Sequence, residues 1–303
     1  MERTNDRSDR MLITGGTGFV GSEIREALAG RPLRLLVRRR DEWQHLESGQ
    51  VEVVEGDVTD PGSLRNAIDG CSTVVHLVAI IEESGGQTFD RVIRQGTENV
   101  VNEARAAGVR RFIQMSALGA VDDPRFPYQQ AKWRAEAAVR ASGLDWTIFR
   151  PLVVYGPGDG FLSTLAGVVK SFPVTPVVGD GRTRFQPVHV RDVADSFRRA
   201  VEDPATIGET YELGGPDVLT YEQLIDLIAK ELGVSKPKIH LPVGLMKLVV
   251  TASKPLPRRL RPPVTGEQLK MLAIDNSSRQ SATEELIGRP PRALADEIGY
   301  LRR

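Results

Sequence analysis

The sequence predicts a doubly wound α/β fold, a parallel sheet with helices on both faces. Three observations carry that expectation. Short runs rich in branched apolar residues recur through the first 150 residues. Helix-patterned segments alternate with them, and the first run leads straight into a glycine-dense turn that opens a helix. Alternation of this kind needs crossover connections, and crossovers yield parallel strands covered on both sides.

The first strand is MLIT, residues 11–14, followed by GGTGFVG and the helix-like SEIREALAG, which ends at Gly30. LRLLV (33–37) and VEVVEG (51–56) follow as strands, then SLRNAIDG as a helix ending at Gly70. STVVHLVAI (72–80) leads to VIRQGTENVVNEARAAG, closing at Gly108. RRFIQMS (110–116) leads to YQQAKWRAEAAVRASG, closing at Gly143, and DWTIFR (145–150) completes the series. A glycine just past each helix is the expected C-terminal cap, because it takes the left-handed conformation without strain.

After residue 150 the texture changes. PLVVYGPGDG and SFPVTPVVGDG are dense in proline and glycine. Helical candidates follow near 191–203, 220–233, 243–253 and 265–274, with strand-like pieces at 185–190 (FQPVHV) and 209–213 (ETYEL). The expected division is a dinucleotide-type domain over 11–155, with returning segments near 185–215, and a smaller, mainly helical substrate region over 156–303. The latter would cap the carboxyl edge of the strands, where ligands of open α/β sheets bind.

Composition narrows the function classes. In 303 residues, 40 basic side chains balance 40 acidic ones, so no global field points to nucleic acid. One cysteine, Cys71, excludes an internal disulfide framework and favours a reducing, cytoplasmic setting. The charged opening MERTNDRSDR lacks the apolar core of an export signal. Four scattered histidines, His45, His76, His189 and His240, give no metal-ligand spacing, and His76, inside an apolar strand, reads as a packed core residue. Trp133 and Trp146 read as core. The stretch from Leu241 to Arg261 joins an apolar helix candidate to Lys247, Lys254, Arg258, Arg259 and Arg261. Such an element either docks on its own domain or rests on an anionic membrane surface or membrane complex.

The glycine turn carries the first chemical signal. Gly15, Gly16, Gly18 and Gly21 can be read as GxGxxG or GxxGxxG, and both registers set backbone amides and a helix N-terminus against a pyrophosphate. The end of the second strand selects the nucleotide. An acid there binds a ribose 2′-hydroxyl, whereas arginine accommodates a 2′-phosphate. Here Arg38, Arg39 and Arg40 follow Val37 and the first acid is Asp41, so NADP(H) is favoured over NAD(H). The alternative is a solvated basic loop. In EGDVTD, Asp57 stands where a carboxylate can accept from an adenine amino group, with Val58 packing on the ring; Asp60 reads as a helix cap.

The second signal is YQQAK. Tyr128 and Lys132 stand four residues apart and so share a helix face. An ammonium near a phenol favours the phenolate, which would lower the tyrosine toward a usable acid or base. Ser116, in QMSALG at the end of the fifth strand, would position a carbonyl or alcohol oxygen.

With these motifs in order, TGGTGFVG, GDVTD, HLVAI, SALG, YQQAK, FRPLVVYGPGDG and PVHVRDVADS, the sequence resembles the extended or atypical branch of the short-chain dehydrogenase/reductase superfamily, with its Rossmann domain, from about residue 11 to about 235. Within it, VVHLVAI, SGLDWTIFRPLVVYGPGD and TGEQLKMLAIDN are similar to nucleotide-binding accessory subunits of respiratory complex I and their bacterial relatives. The resemblance implies Gly15, Gly18 and Gly21 at the pyrophosphate, with Thr17, Phe19 and Val20 between them. It also implies Arg38 and Arg39 at the adenosine ribose or its phosphate, Asp57 and Val58 at adenine, and Val78 and Ala79 along the cofactor. Ser116, Tyr128 and Lys132 would form the catalytic group, the last two also touching the cofactor, and Pro151 and Val153 would lie beside the nicotinamide. Only eleven residues separate Ser116 from Tyr128, which departs from nucleotide-sugar epimerases and favours the atypical branch. Two functions follow as expectations: an NADP(H)-dependent oxidoreductase acting on a small molecule, or a non-catalytic NADPH-binding accessory subunit or assembly factor.

Overall fold

The computed structural model describes residues 9–242, 244, 246, 248 and 275–302. The expected helices near 243–253 and 265–274, the basic cluster from Lys247 to Arg261 and most of TGEQLKMLAIDN lie outside the described residues, apart from those three positions.

The first unit comprises residues up to Pro151 together with Val193–Tyr211. Its strands are β1 (Met11–Thr14), β2 (Leu33–Val37), β3 (Val51–Glu55), β4 (Thr73–His76), β5 (Arg111–Met115) and β6 (Asp145–Pro151). An edge strand, β11 (Glu209–Leu213), gives a seven-stranded sheet of order β11-β6-β5-β4-β1-β2-β3. β1 pairs in parallel with both β2 and β4, so the chain reverses its direction of travel at β1. That reversal is the point at which open sheets of this class bind ligands.

The helices are α1 (Phe19–Ala27), the short α2 (Arg40–Trp43), α3 (Pro61–Ile68), α4 (Gly96–Ala106) and α5 (Pro127–Arg140). α7 (Val190–Glu202) returns the chain to this unit. A π-helical turn over Asp90–Gln95 leads into α4. Gly30, Gly70, Gly108 and Gly143 all take positive φ, between +69° and +87°, as the expected helix ends require. The core on one side of the sheet joins Leu12, Leu36, Val74 and Phe112 to Leu64, Ile68, Val100, Val101 and Val139. Burial of this apolar surface is the main force holding helices to strands, at ~25 cal/mol per Å².

The second unit, Leu152–Asp192 and Glu212–Arg303, has its own core of Tyr155, Leu162, Leu165, Phe185, Tyr221, Leu224 and Ile228. It contains α6 (Phe161–Ser171) and α8 (Tyr221–Glu231), with small two-stranded sheets. One of them pairs β8 (Thr175–Val178) with β13 (Lys238–Leu241). The expected single strand over 185–190 is two short pieces, β9 (Arg184–Phe185) and β10 (Val188–His189). β10 runs parallel to β7 (Val154–Tyr155), whereas β9 is antiparallel to β12 (Leu219–Thr220). Two short helices, α9 (Thr283–Ile287) and α10 (Leu294–Glu297), follow. The chain divides after Pro151, and 193–211 is the returning segment. The fourth strand is shorter than its apolar run, because pairing stops at His76 and Leu77–Ile80 leave the ladder. Among the described residues, no helix is long and apolar enough to cross a membrane.

Candidate active site

The glycine turn between β1 and α1 is shaped by the backbone. Gly15 has φ +75°, and a Cβ there would stand 3.3 Å from the backbone of Leu77 and Val78. At Gly21 a Cβ would fall 2.2 Å from the Gly15 carbonyl oxygen, so the third glycine lets the helix press onto the loop. Gly18 differs from both. It is exposed, and its Cβ would meet only the Gly15 oxygen, at 3.4 Å, an ordinary contact. The fold therefore demands glycine at 15 and 21, while the space above Gly18 is open to a ligand.

The α1 N-terminus is poised for an anion. Gly18 is its N-cap, no side chain caps it, and its first turn holds no acid. By contrast, α3 is capped by Asp60, as the sequence predicts, and α8 carries a capping box of Thr220 and Gln223. Uncapped amides at the positive end of a helix dipole accept a phosphate. Inside the turn, Arg25 Nε donates to the Gly16 carbonyl at 2.8 Å and fixes that oxygen toward the helix. Thr17, Phe19 and Val20 are partly exposed around this N-terminus. The residues fit a dinucleotide pyrophosphate.

The three arginines after β2 are not equivalent. Arg39 is ion-paired with Glu42, and Arg40 with Glu47 at 2.7 Å. The Arg40 backbone N–H also donates to Glu55 at 3.1 Å. Arg38 is exposed and has no ion pair among the described residues. Asp57 spends one carboxylate oxygen on the Thr59 N–H, at 2.8 Å, and keeps the other. Val58 does not present its side chain as expected for a ring contact: it is 4% exposed and packed in the core, where Gly96 leaves room for it. The Val58 carbonyl accepts from Asn99 Nδ2 at 2.9 Å.

At the other end of the strand edge, Val78 and Ala79 follow β4. Val78 packs on the core beneath the sheet. Ala79 and Ile80 join Tyr128 around Phe89, Ile93, Ala131 and Ala135. The Tyr128 ring meets Phe89 edge to face, with centroids 5.5 Å apart. The fold thus brings the β4 end and the tyrosine together.

Two features of the Tyr128, Lys132 and Ser116 group differ from expectation. Burial pushes the Tyr128 phenol up to about 12, the reverse of the expected lowering, because desolvation of the phenolate outweighs any help from Lys132. Lys132, 1% exposed, donates from Nζ to the Met115 carbonyl at 3.0 Å. Burial lowers it to about 8, with Glu136 pulling the other way. Ser116 is 3% exposed, and its Oγ donates to Glu136 Oε1 at 2.5 Å.

Sequence reasoning missed Glu136. It is fully buried, and it accepts from Arg150 Nε at 2.9 Å, Arg150 Nη2 at 2.7 Å and Arg140 Nη2 at 2.8 Å, in addition to Ser116. These donors hold its carboxyl below its usual range against the opposing effect of burial. The available signal was KWRAEAAVR, in which Lys132, Glu136 and Arg140 follow one another at i,i+4 along the face that also holds Ala131 and Ala135.

Pro151 closes β6 and accepts from the Leu118 N–H at 3.2 Å. Val153 lies in the second unit, buried, with its N–H donating to Asn276 Oδ1 at 2.9 Å. His76 is a core histidine: its Nδ1 lies 2.7 Å from Thr14 Oγ1 and its Nε2 3.0 Å from Thr97 Oγ1. Trp133, expected in the core, is 38% exposed, with the Arg140 guanidinium 5.9 Å from its ring centroid. Trp146 packs against the core and also faces Arg140, at 5.7 Å.

Comparison with known proteins agrees with this geometry. The model of the NAD(P)H-binding family matches residues 15–164. Over 244 residues the chain is 32% identical to "NADH dehydrogenase [ubiquinone] 1 alpha subcomplex subunit 9, mitochondrial" of Arabidopsis thaliana, covering 78% of this chain and 61% of that protein. Over 189 residues it is 37% identical to the "Ceramide reductase" of Caulobacter vibrioides, covering 61% of this chain and 58% of that one. The chain thus spans about three-fifths of the length of both relatives. The crystal structure of gox2253 superposes with a TM-score of 0.75 at 28% identity, covering 97% of each chain. The glycine turn, the reversal of strand order at β1 and these matches lead to one conclusion: the chain carries an NAD(P)H-binding domain of Rossmann type, with residues 15–164 matching that family's model.

Proposed function

We propose that this chain is an NADP(H)-preferring oxidoreductase that reduces a carbonyl, with Tyr128 as the proton donor and Lys132 beside it. The observation that carries the cofactor preference is the contrast among the arginines: Arg39 and Arg40 are neutralised by Glu42 and Glu47, while exposed Arg38 keeps its charge at the end of β2. A 2′-phosphate there would meet a bidentate donor, and no aspartate or glutamate occupies Arg38's position to repel it. When bound, the dinucleotide supplies or takes a hydride. The amides of α1 would hold its pyrophosphate, with Gly18 giving the closest approach.

For the protein's own groups, a phenol held near 12 is fully protonated at neutral pH, so Tyr128 is suited to give a proton to an oxygen that gains charge. The Lys132 ammonium, lowered to about 8, is still mainly protonated there and offers positive charge one turn away. The apolar cluster against which Tyr128 packs, with Phe89, Ala79 and Ile80, keeps water from competing.

A second reading has a specific observation in its favour. With Ser116 Oγ donating to Glu136 and the phenol unactivated, the chain can bind the nucleotide without turning it over, as a structural ligand. A relative that is by name a subunit of an NADH dehydrogenase supports the same reading. The test is to load the purified protein with NADPH and follow its absorbance against a panel of aldehydes, ketones and quinones. Oxidation that Tyr128→Phe abolishes supports the enzyme. Tight NADPH binding with no oxidation by any member overturns it in favour of the structural role.

A further inference from the structure

Glu136 touches both strand ends beside the reaction group. Its carboxylate receives Ser116 Oγ from the segment after β5 at 2.5 Å, and Arg150 in β6 through two nitrogens at 2.9 and 2.7 Å. It stands on α5 one turn after Lys132 and one turn before Arg140, which closes the set at 2.8 Å. Four donors converge on a fully buried acid. A carboxylate that accepts from two guanidinium groups is ionised, so it has no proton to give and the Ser116 hydroxyl must be the donor. A serine hydroxyl has one hydrogen and two lone pairs, and this one has committed its hydrogen.

We propose that Glu136 is the positioning residue of the reaction site: by accepting the Ser116 hydrogen bond it leaves that hydroxyl an acceptor only, so that Ser116 receives an O–H and cannot donate to a carbonyl oxygen. This rests on the oxidoreductase reading. It divides the labour between two hydroxyls that spacing alone makes look alike. Tyr128 is the donor to a substrate carbonyl, and Ser116 can accept only from an alcohol or from the phenol itself. The charge of Glu136, one helical turn away, also supports the cationic form of buried Lys132.

Two measurements on the full chain test this without knowing the substrate. The first is the wild-type proton spectrum. A serine hydroxyl locked on a buried carboxylate exchanges slowly and gives a resolved downfield resonance, which is expected in the wild type and absent in Ser116→Ala. If no such resonance exists, the assignment of the proton fails. The second is the titration of Lys132 by carbon-13 labelling of lysine, with Lys132→Arg identifying its signal among the eight lysines. In Glu136→Gln the midpoint of Lys132 is expected to move down, and Ser116→Ala, which keeps the carboxylate, should leave it much closer to the wild type. An unmoved midpoint in folded Glu136→Gln overturns the electrostatic half of the proposal, and the hydroxyl resonance decides the matter if that variant does not fold. NADPH titration in parallel separates this from the underlying reading. A protein that binds no NADPH defeats the oxidoreductase proposal, whereas one that binds NADPH but shows neither signature defeats only the role of Glu136.

Discussion

The two ends of the strand edge in the first unit solve opposite problems. The glycine turn holds back-to-back main chain with nearly no side chains: Gly15 and Gly21 are dictated by contacts under 3.4 Å, and the N-terminus of α1 is left without a cap. Around Ser116, Lys132 and Glu136, long polar side chains are buried and satisfied by one another and by the Met115 carbonyl. One end withholds partners so that a ligand can supply them. The other end supplies the partners itself. The difference teaches that an open backbone site reads directly as a binding site, while a closed polar cluster has to be asked which of its hydrogens are already spent.

The comparison can be broken most severely at the closed end. Tyr128→Phe is expected to reduce turnover of any carbonyl substrate by about 10²–10⁴-fold, the usual contribution of a positioned acid, while melting temperature and NADPH affinity stay close to wild type; parallel kinetics and calorimetry check it. Glu136→Ala removes the buried carboxylate that the partly buried Arg140 and Arg150 share, and denaturant unfolding should show a loss of about 3 kcal/mol. At the open end, Gly21→Ala should cost about 1–3 kcal/mol of stability through its clash with the Gly15 oxygen, and it should lose NADPH binding as well. Gly18→Ala sharpens the contrast: the fold tolerates it, so its melting temperature should barely move while NADPH affinity falls. A Gly18→Ala protein that binds NADPH normally would mean that the space above that residue is not used. Arg38→Ala should weaken NADPH by roughly tenfold, about 1.4 kcal/mol, and leave NADH nearly unchanged, as isothermal titration would show.

A further effect concerns acid. His76 is lowered to about 3 mainly by burial, so between its ordinary value of 6.5 and about 3 the unfolded chain holds a proton that the folded chain refuses. Stability therefore falls as pH drops below 6.5, by up to ~1.4 kcal/mol per pH unit for this one group. Unfolding curves at pH 7 and 5 should differ in that direction, and the difference should shrink in a variant with a neutral residue at 76.

Much of this was legible in the sequence, for reasons that differ by element. Strand runs and their closing glycines are local signals, and Gly30, Gly70, Gly108 and Gly143 needed only the neighbouring helix to explain them. The glycine turn was legible because its constraint is steric and contained within seven residues. The early end of β4 and the pairing of Arg39 and Arg40 were not, since both depend on what lies across the sheet or around a loop. Tyr128 and Lys132 were singled out by spacing, yet the phenol shifts up where a lowering was expected: spacing reports proximity and says nothing of desolvation, which dominates here. Glu136 was hidden because its principal partners, Ser116 just past β5 and Arg150 in β6, lie 20 and 14 residues away along the chain.

The chain's return into its first unit has a consequence for any attempt to take this protein apart. Arg111, at the start of β5, donates to the Ala200 carbonyl and to Thr206 Oγ1, both supplied by the returning stretch, and β11 covers the outer flank of β6. A fragment cut after Pro151 would strip acceptors from a guanidinium that burial already lowers to about 10, and would bare a hydrogen-bonding strand margin to other copies of itself. The cofactor-binding half is thus stitched from two separated lengths of chain, and the insertion between them cannot be discarded without unpicking the seam.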